Sequence, residues 1–372
     1  MDYYCNQKFW WLSVDPESKT YNSCCAARSQ KIDLKWIEQH PGQLFNSPWL
    51  VKEREDMLQN KPVASCETAC WQPEQNQLPS RRQKMMSTEV LYTDTHADPK
   101  MLSVIIGRDC NLDCVYCCKQ YSTSWLRDIK QNGAYLDDER FQLNVSDQLY
   151  LKAGQNIIKQ TQSYQTILNE LCQIKNVEEL NIVGGEPFLS NYLLDLINHF
   201  DCKITINTGL GVNTERLRRI ADQLHSHVEI FVSAETTGSL YEFIRHGNSW
   251  NQFLTNLDVL QKRFKVDFSS VVSNLTIFGL EQFQKQFGYS KVLLFCNDPN
   301  YLNACVLDDE SRQRLQATEF LYNNTQIQNN IKQSATEQQI QNVKTYIREY
   351  ARRRQLTYDM FPASFVQWIH RD

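Results

Sequence analysis

Between residues 102 and 295 apolar positions alternate between two rhythms. Dense runs of aliphatic and β-branched residues fall at 102–106, 179–183, 203–207, 228–233, 266–272 and 291–295. Each has the length and composition of a strand buried on both faces. Between them the spacing turns helical: Tyr164, Ile167, Leu168, Leu171 and Cys172 share one face, and a second helix is expected over 191–200. A third begins near Asn213 or Thr214, both good N-caps. A fourth carries Trp250, Phe253, Leu254, Leu257 and Leu260, a stripe that reads as core. Six strand-helix repeats give a parallel sheet with helices outside, because parallel strands need crossovers. Six are too few to close as eight do, so the fold class is α/β, an open partial (β/α)6 barrel.

The flanks read differently. A hairpin from 12–16 to 21–25 and a helix-like stretch over 44–58 precede a segment, 72–100, crowded with Pro, Gln, Asn, Ser and charge. That composition marks a linker. The chain is therefore expected to divide into a cysteine-rich module and linker at 1–98, the barrel at 99–300, and a helical C-terminal extension at 301–372. Within the extension, 308–356 reads as helical and rich in Gln and Asn and is expected to pack across the open barrel or its edge.

Charge excludes several partners. With 39 Lys plus Arg against 43 Asp plus Glu, the net charge is −4, which gives no footprint for nucleic acid or an anionic membrane. The short basic run Ser80-Arg-Arg-Gln-Lys84 reads as solvated linker. No apolar stretch approaches the ~20 residues of a membrane span. The start, Met1-Asp-Tyr-Tyr-Cys5, lacks the basic and apolar regions of a secretion signal, so a cytoplasmic location is expected. Thirteen cysteines in such a chain favour metal or redox chemistry over disulfides. Cys172, Cys202, Cys296 and Cys305 lie in or beside apolar segments and read as small core residues.

The chemistry concentrates in Cys110-Asn-Leu-Asp-Cys114-Val-Tyr-Cys117, directly after the first strand. Three thiolates this close can hold three irons of a [4Fe-4S] cube and leave the fourth open to a small molecule. A structural zinc site would prefer two paired knuckles with four ligands, and no His lies nearby to complete one. Cys118 reads as a buried free thiol and Asp113 as a solvated loop residue.

The spacing, Tyr116 before the third cysteine and the preceding strand together resemble the radical S-adenosylmethionine (radical SAM) superfamily. The resemblance implies that Cys110, Cys114 and Cys117 hold the cube. Its open iron would chelate S-adenosylmethionine, whose reductive cleavage yields a 5'-deoxyadenosyl radical. Gly184-Gly185-Glu186-Pro187, ending the second strand, resembles the family's GGEP motif. Its glycines allow close backbone approach, and the resemblance implies that Glu186 with the nearby carbonyls accepts from the methionine ammonium. Asn207 and the pair Ser233 and Glu235, at the next two strand ends, resemble positions that meet the ribose and the methionine carboxylate. Arg245 is a candidate bidentate partner for that carboxylate, and Tyr116 would stack near the adenine. The same residue types also serve as turn residues and helix caps.

The N-terminal cysteines resemble the SPASM/twitch auxiliary-cluster module. Cys5, Cys24, Cys66 and Cys70 would bind a second iron-sulfur cluster, with Cys25 as spare or alternative and zinc as the competing metal. Relatives usually place this module after the barrel and often pair the last two cysteines as C-x2-C; here it comes first, with C-x3-C. The implied activity is hydrogen-atom abstraction from a peptide or protein side chain or a small polyol-like metabolite. The auxiliary cluster would accept an electron, and an external donor such as flavodoxin or ferredoxin would supply one. No winged-helix leader-binding segment is recognisable in 1–98, which points away from leader-guided peptides. The competing class is a non-enzymatic iron-sulfur or zinc protein, an electron carrier or interaction module, which has no use for Gly184-Gly185-Glu186-Pro187 or an open iron.

Overall fold

Strand β4, Met101–Ile105, forms because its alternate side chains Leu102 and Val104 are wholly removed from water. Burying each such side chain contributes ~1.5–3 kcal/mol. The computed structural model in which this is seen describes residues 2–76, 80–85, 91–153, 161–225 and 227–371. They fall into two units: 1–107 with 152–206 and 223–229, and 108–151 with 207–222 and 230–372.

In the first unit, β1 (Trp11–Asp15), β2 (Thr20–Asn22) and β3 (Gln30–Lys31) form an antiparallel meander. The expected hairpin is the first half of it. β1 also pairs in parallel with β4, which pairs with β5 (Glu179–Val183), which pairs with β6 (Lys203–Thr208). The registers set Leu12, Leu102, Leu180 and Ile204 side by side, and likewise Val14, Val104, Ile182 and Ile206. On the alternate face stand Ser13, Ser103, Asn181 and Thr205, with Asn181 Nδ2 donating to Ser103 Oγ at 2.8 Å. One face is therefore an apolar ladder and the other a polar one.

The stretch 72–100, read as linker, is partly folded. Short helices span Gln72–Gln75 and Arg81–Met85, while 77–79 and 86–90 lie outside the described residues. Arg82 is not solvated. It is 8% exposed, ion-paired to Glu74 and donates to the Tyr4 carbonyl, because a guanidinium this buried requires a carboxylate partner.

The sheet order continues with β7 (Val228–Ser233), of which 230–233 lie in the second unit, then β8 (Lys265–Val272) and β9 (Val292–Phe295), both wholly in that unit. Among the described residues β3 pairs with β2 alone and β9 with β8 alone, so the strands do not close into a barrel. Helix Trp250–Gln261 starts at Ser249, whose side chain accepts from the Gln252 amide, and buries Phe253, Leu257 and Leu260. Between residues 309 and 370 the described elements are helices. The longest, Glu337–Arg354, opens on a capping box of Thr336 and Gln339 and stops where Gln355 turns left-handed. Val343, Tyr346, Ile347, Tyr350 and Ala351 line its buried stripe and pack with Trp125, Phe243, Phe365 and Ile369. Cys296 and Cys305 belong to this core, whereas Cys172 and Cys202 are half-buried. No helix of the described residues is long and apolar enough to cross a membrane.

Candidate functional site

The cysteine loop leaves the second unit's first residues and turns back into helix Thr123–Asn132, capped by Ser122. Cys110 and Cys114 are buried and cluster with Leu112, against which Tyr116 and Cys117 pack. Side chains at the helix start hold the loop backbone. Thr123 Oγ1 donates to the Cys110 carbonyl at 2.8 Å, Ser122 Oγ to the Leu112 carbonyl at 2.7 Å, and Trp125 Nε1 to the Cys114 carbonyl at 3.0 Å. On the other side the Asp113 and Val115 amides donate to the His246 and Ile244 carbonyls. Gly247 makes that contact possible: its φ is +103°, and a Cβ there would lie 2.6 Å from the Asn111 carbonyl oxygen.

Asp113 is the clearest departure from expectation. It is 8% exposed rather than solvated, with His246 Nδ1 and Arg354 Nε each 3.3 Å from its Oδ2. Burial alone would raise its pKa, but these partners outweigh it and hold the carboxyl below its ordinary range. Cys118 is likewise only half-buried and shares a hydrogen bond with Cys117. A second carboxylate, Asp147, takes Arg108 at 2.9 Å and Lys119 at 2.5 Å, tying the two ends of the loop together.

Burial pushes the Cys114 thiol up to about 11 against the pull of Arg245. The Cys118 hydrogen bond and burial, then the charges of Cys118, Cys114 and Cys110, push the Cys117 thiol well above its ordinary value. Two buried thiols and a partly buried third, with Cys114 and Cys110 opposing the ionisation of Cys117, suit cations that would deprotonate them outright. Among the described residues, no set of three His, Cys, Asp or Glu side chains is drawn together tightly enough to hold a single metal ion. A cube takes one thiolate per iron and asks for no such convergence.

Glu235, wholly buried after β7, receives Arg245 through Nε at 3.1 Å and Nη2 at 2.8 Å, and the Tyr116 hydroxyl at 2.9 Å. Arg245 Nη1 lies 3.9 Å from Cys114 Sγ, and its guanidinium sits 5.5 Å from the Tyr116 ring centre. Burial opposes the Arg245 charge, but Glu235 outweighs that and keeps it firmly protonated. Three sequence candidates, Tyr116, Glu235 and Arg245, are thus brought together around Cys114, and the Arg245 fork is closed on Glu235. Asn207 and Ser233 sit half-buried at the ends of β6 and β7.

The turn at 184–187 belongs to the first unit. Gly184 has φ +134°, and a Cβ there would lie 2.7 Å from the Gly107 carbonyl oxygen, which accepts from the Gly185 amide at 2.8 Å. Glu186 is 1% exposed and caps a 3-10 turn over Pro187–Leu189, accepting from the Phe188 amide at 3.2 Å.

Cys5, Cys24, Cys66 and Cys70 are all buried in the same unit, and Cys25 is exposed. Burial, then Cys66, Cys24 and Cys70, push the Cys5 thiol up to about 12, so the four sense one another. Three cations act on them, beside the carboxylates of Glu53 and Glu74. Lys8, 1% exposed and paired with Glu53 at 2.5 Å, acts on Cys66 and Cys24; Arg81 acts on Cys24 and Arg82 on Cys70. Cys24 Sγ donates to Gln7 Oε1 at 3.2 Å. Among the described residues Gln7 Nε2, Ser23 Oγ and Arg81 Nε are buried without a hydrogen-bond partner. Orphaned donors beside clustered thiols fit a site whose acceptors are thiolates and sulfides.

Sequence reasoning missed Ser122, Thr123, Trp125, Lys8 and Asp147. Only the Ser122-Thr123 pair opening a helix just after the cysteines carried a signal.

A family model described as the radical SAM superfamily matches residues 104–285. No curated protein matches the chain. The chain is similar to native anSMEcpe with bound AdoMet, at 14% identity over 63% of each chain and a TM-score of 0.35. It is similar to native anSMEcpe with bound AdoMet and Kp18Cys peptide, at 13% identity over 63% of each chain and a TM-score of 0.36. It is also similar to Streptococcus suis SuiB bound to S-adenosylmethionine, at 12% identity over 87% of this chain and 69% of that one, with a TM-score of 0.33. The chain spans 63% of the anSMEcpe length. The family match supports the radical SAM superfamily for residues 104–285, the stretch that holds both the three-cysteine loop and the turn at 184–187.

Proposed function

We propose that the protein is a radical SAM enzyme whose loop thiols Cys110, Cys114 and Cys117 hold a [4Fe-4S] cluster. When bound and reduced, that cluster supplies the electron that cleaves S-adenosylmethionine to a radical able to take a hydrogen atom from an unreactive carbon. The observation that carries the reading is the gathering of these thiols, Cys110 and Cys114 buried and Cys117 packed against them, in one side-chain-braced loop inside the family match. Gly184, Gly185, Glu186 and Pro187 are assigned to the methionine moiety, and Asn207 and Ser233 to the ribose, by likeness to the family's motifs. The Glu235 and Arg245 pair is neutral as a whole but turns its cationic end, Arg245 Nη1, toward Cys114, an orientation that favours a thiolate there.

Cys5, Cys24, Cys66 and Cys70 are proposed to hold an auxiliary iron-sulfur cluster that accepts an electron from the substrate radical. The cations Lys8, Arg81 and Arg82 that act on these thiols, and the orphaned donors, support an anionic multi-acceptor group there. The proposed substrate is a peptide or protein side chain or a small polyol-like metabolite, and the proposed electron source an external flavodoxin or ferredoxin. The test is to reconstitute the protein anaerobically, reduce it and incubate it with S-adenosylmethionine. Formation of 5'-deoxyadenosine is expected, and a metal-loaded protein that forms none would leave a binding or carrier role.

A further inference from the structure

The C-terminal extension entered the sequence reading as packing, yet its longest helix reaches the cysteine loop. Tyr346 Oη donates to the Val115 carbonyl at 2.5 Å. One turn on, Tyr350 Oη donates to the Asp113 carbonyl at 2.6 Å and reaches the Phe243 carbonyl at 3.2 Å. Both rings are buried, at 1% and 0% exposure, in a stripe that also holds Val343, Lys344, Ile347 and Ala351. A phenylalanine would fill the same volume. Arg354, a further turn on, lies with Nε 3.3 Å from Asp113 Oδ2 and its guanidinium 4.0 Å from the Tyr350 ring centre. It therefore neutralises the carboxylate next to Cys114 and fixes the Tyr350 ring from the other side.

These contacts complete a pattern. The carbonyls of Cys110, Leu112, Asp113, Cys114 and Val115 each accept from a side chain: Thr123, Ser122, Tyr350, Trp125 and Tyr346 in turn. A carbonyl pinned outward turns the positive end of its peptide dipole inward. Dipoles, hydrogen bonds and exposure around a cluster set its reduction potential.

We propose that Tyr346 and Tyr350 are positioning residues for the cluster loop: their hydroxyls hold the Val115 and Asp113 carbonyls outward and so keep the cluster's potential high enough for its reduction. The inference rests on the radical SAM reading above. Removing both hydroxyls frees two carbonyls on either side of Cys114 while the rings keep the core filled.

The test uses full-length protein, reconstituted anaerobically, as wild type, Tyr350→Phe and the double variant Tyr346→Phe/Tyr350→Phe. The cluster is identified as the one whose electron paramagnetic resonance changes when S-adenosylmethionine is added. Its midpoint potential, the iron and sulfide content and the far-ultraviolet circular dichroism are then measured. The double variant is expected to keep its fold and iron while its ratio of reduced to oxidised cluster, at the wild-type midpoint, falls about tenfold. That is ~59 mV for one electron. Loss of the responsive cluster from a folded double variant also supports positioning. A folded, fully loaded double variant with unchanged potential overturns the proposal. Should the double variant not fold, Tyr350→Phe is read the same way, and an unchanged potential overturns it. A wild type with no responsive cluster fails the radical SAM reading itself, which is a distinguishable result.

Discussion

Arg245 closes both arms of its fork on Glu235, and its remaining nitrogen faces the Cys114 sulfur at 3.9 Å. Breaking a buried pair by removing one partner leaves the other charge uncompensated, at a cost of ~3–5 kcal/mol. Glu235→Gln is therefore expected to lose stability on that scale. Tyr116→Phe, which removes one donor to the same carboxylate, should lose ~1.5–3 kcal/mol or less. Urea denaturation of the two variants checks the order, and equal losses would contradict it.

Cys114→Ala should abolish S-adenosylmethionine cleavage and leave the metal at Cys5, Cys24, Cys66 and Cys70 in place. The two thiol groups lie in separate units, each with its own buried surroundings. Iron analysis beside a 5'-deoxyadenosine assay checks both halves. A variant that still cleaves S-adenosylmethionine would remove the loop from the chemistry.

Glu186→Ala is expected to weaken S-adenosylmethionine binding by ~1–3 kcal/mol, the scale of lost charge-assisted hydrogen bonds. Because the carboxylate also caps its own turn, accepting from the Phe188 amide, Glu186→Gln is the informative partner: an amide oxygen can still cap. Titration calorimetry with the loaded protein should find both variants weakened. Unaltered affinity would leave Glu186 with the cap alone.

Asp147 should give the protein an acid-sensitive limb. Burial would raise its pKa, but Lys119, the Asn144 amide and Arg108 more than reverse that, so the folded value lies below the unfolded one. The stabilisation is thus complete above the ordinary carboxylate range, ~4, and is lost as pH falls through the lower folded value. Thermal melts between about pH 2 and 6 should show a steeper loss for wild type than for Asp147→Asn, around the range where carboxylates titrate. Parallel curves would mean that the pair adds nothing net.

Much of the middle of the chain was legible because buried parallel strands announce themselves as apolar runs. The expected 179–183 and 228–233 match β5 and β7, and Asn213 caps the helix Thr214–Ala221 with its side chain. The loop cysteines stood out through spacing alone. Long-range pairings were not legible. Asp113 and Arg82 look solvated in sequence because their partners, His246 and Arg354 for one and Glu74 for the other, are reached only by folding. Arg245 and Glu235 were each singled out for a ligand, but nothing in their separation showed that they would choose each other. Tyr346 and Tyr350 were not singled out at all, because a Gln- and Asn-rich helix gives no sign of which hydroxyl will meet a carbonyl over two hundred residues away.

β1 runs in register beside β4, Leu12 against Leu102 and Val14 against Val104. The cysteine-rich N-terminal stretch is for that reason no detachable cassette. A cut near residue 98 would strip β4 of its neighbour and bare a row of amide and carbonyl groups flanked by Leu102 and Val104, the kind of surface on which chains stick to one another. The severed piece would fare no better, since β1 would keep only the short β2 beside it. Shortened forms of this protein should precipitate or pair with themselves, and its two sets of cysteines are best told apart by point substitution in the intact chain.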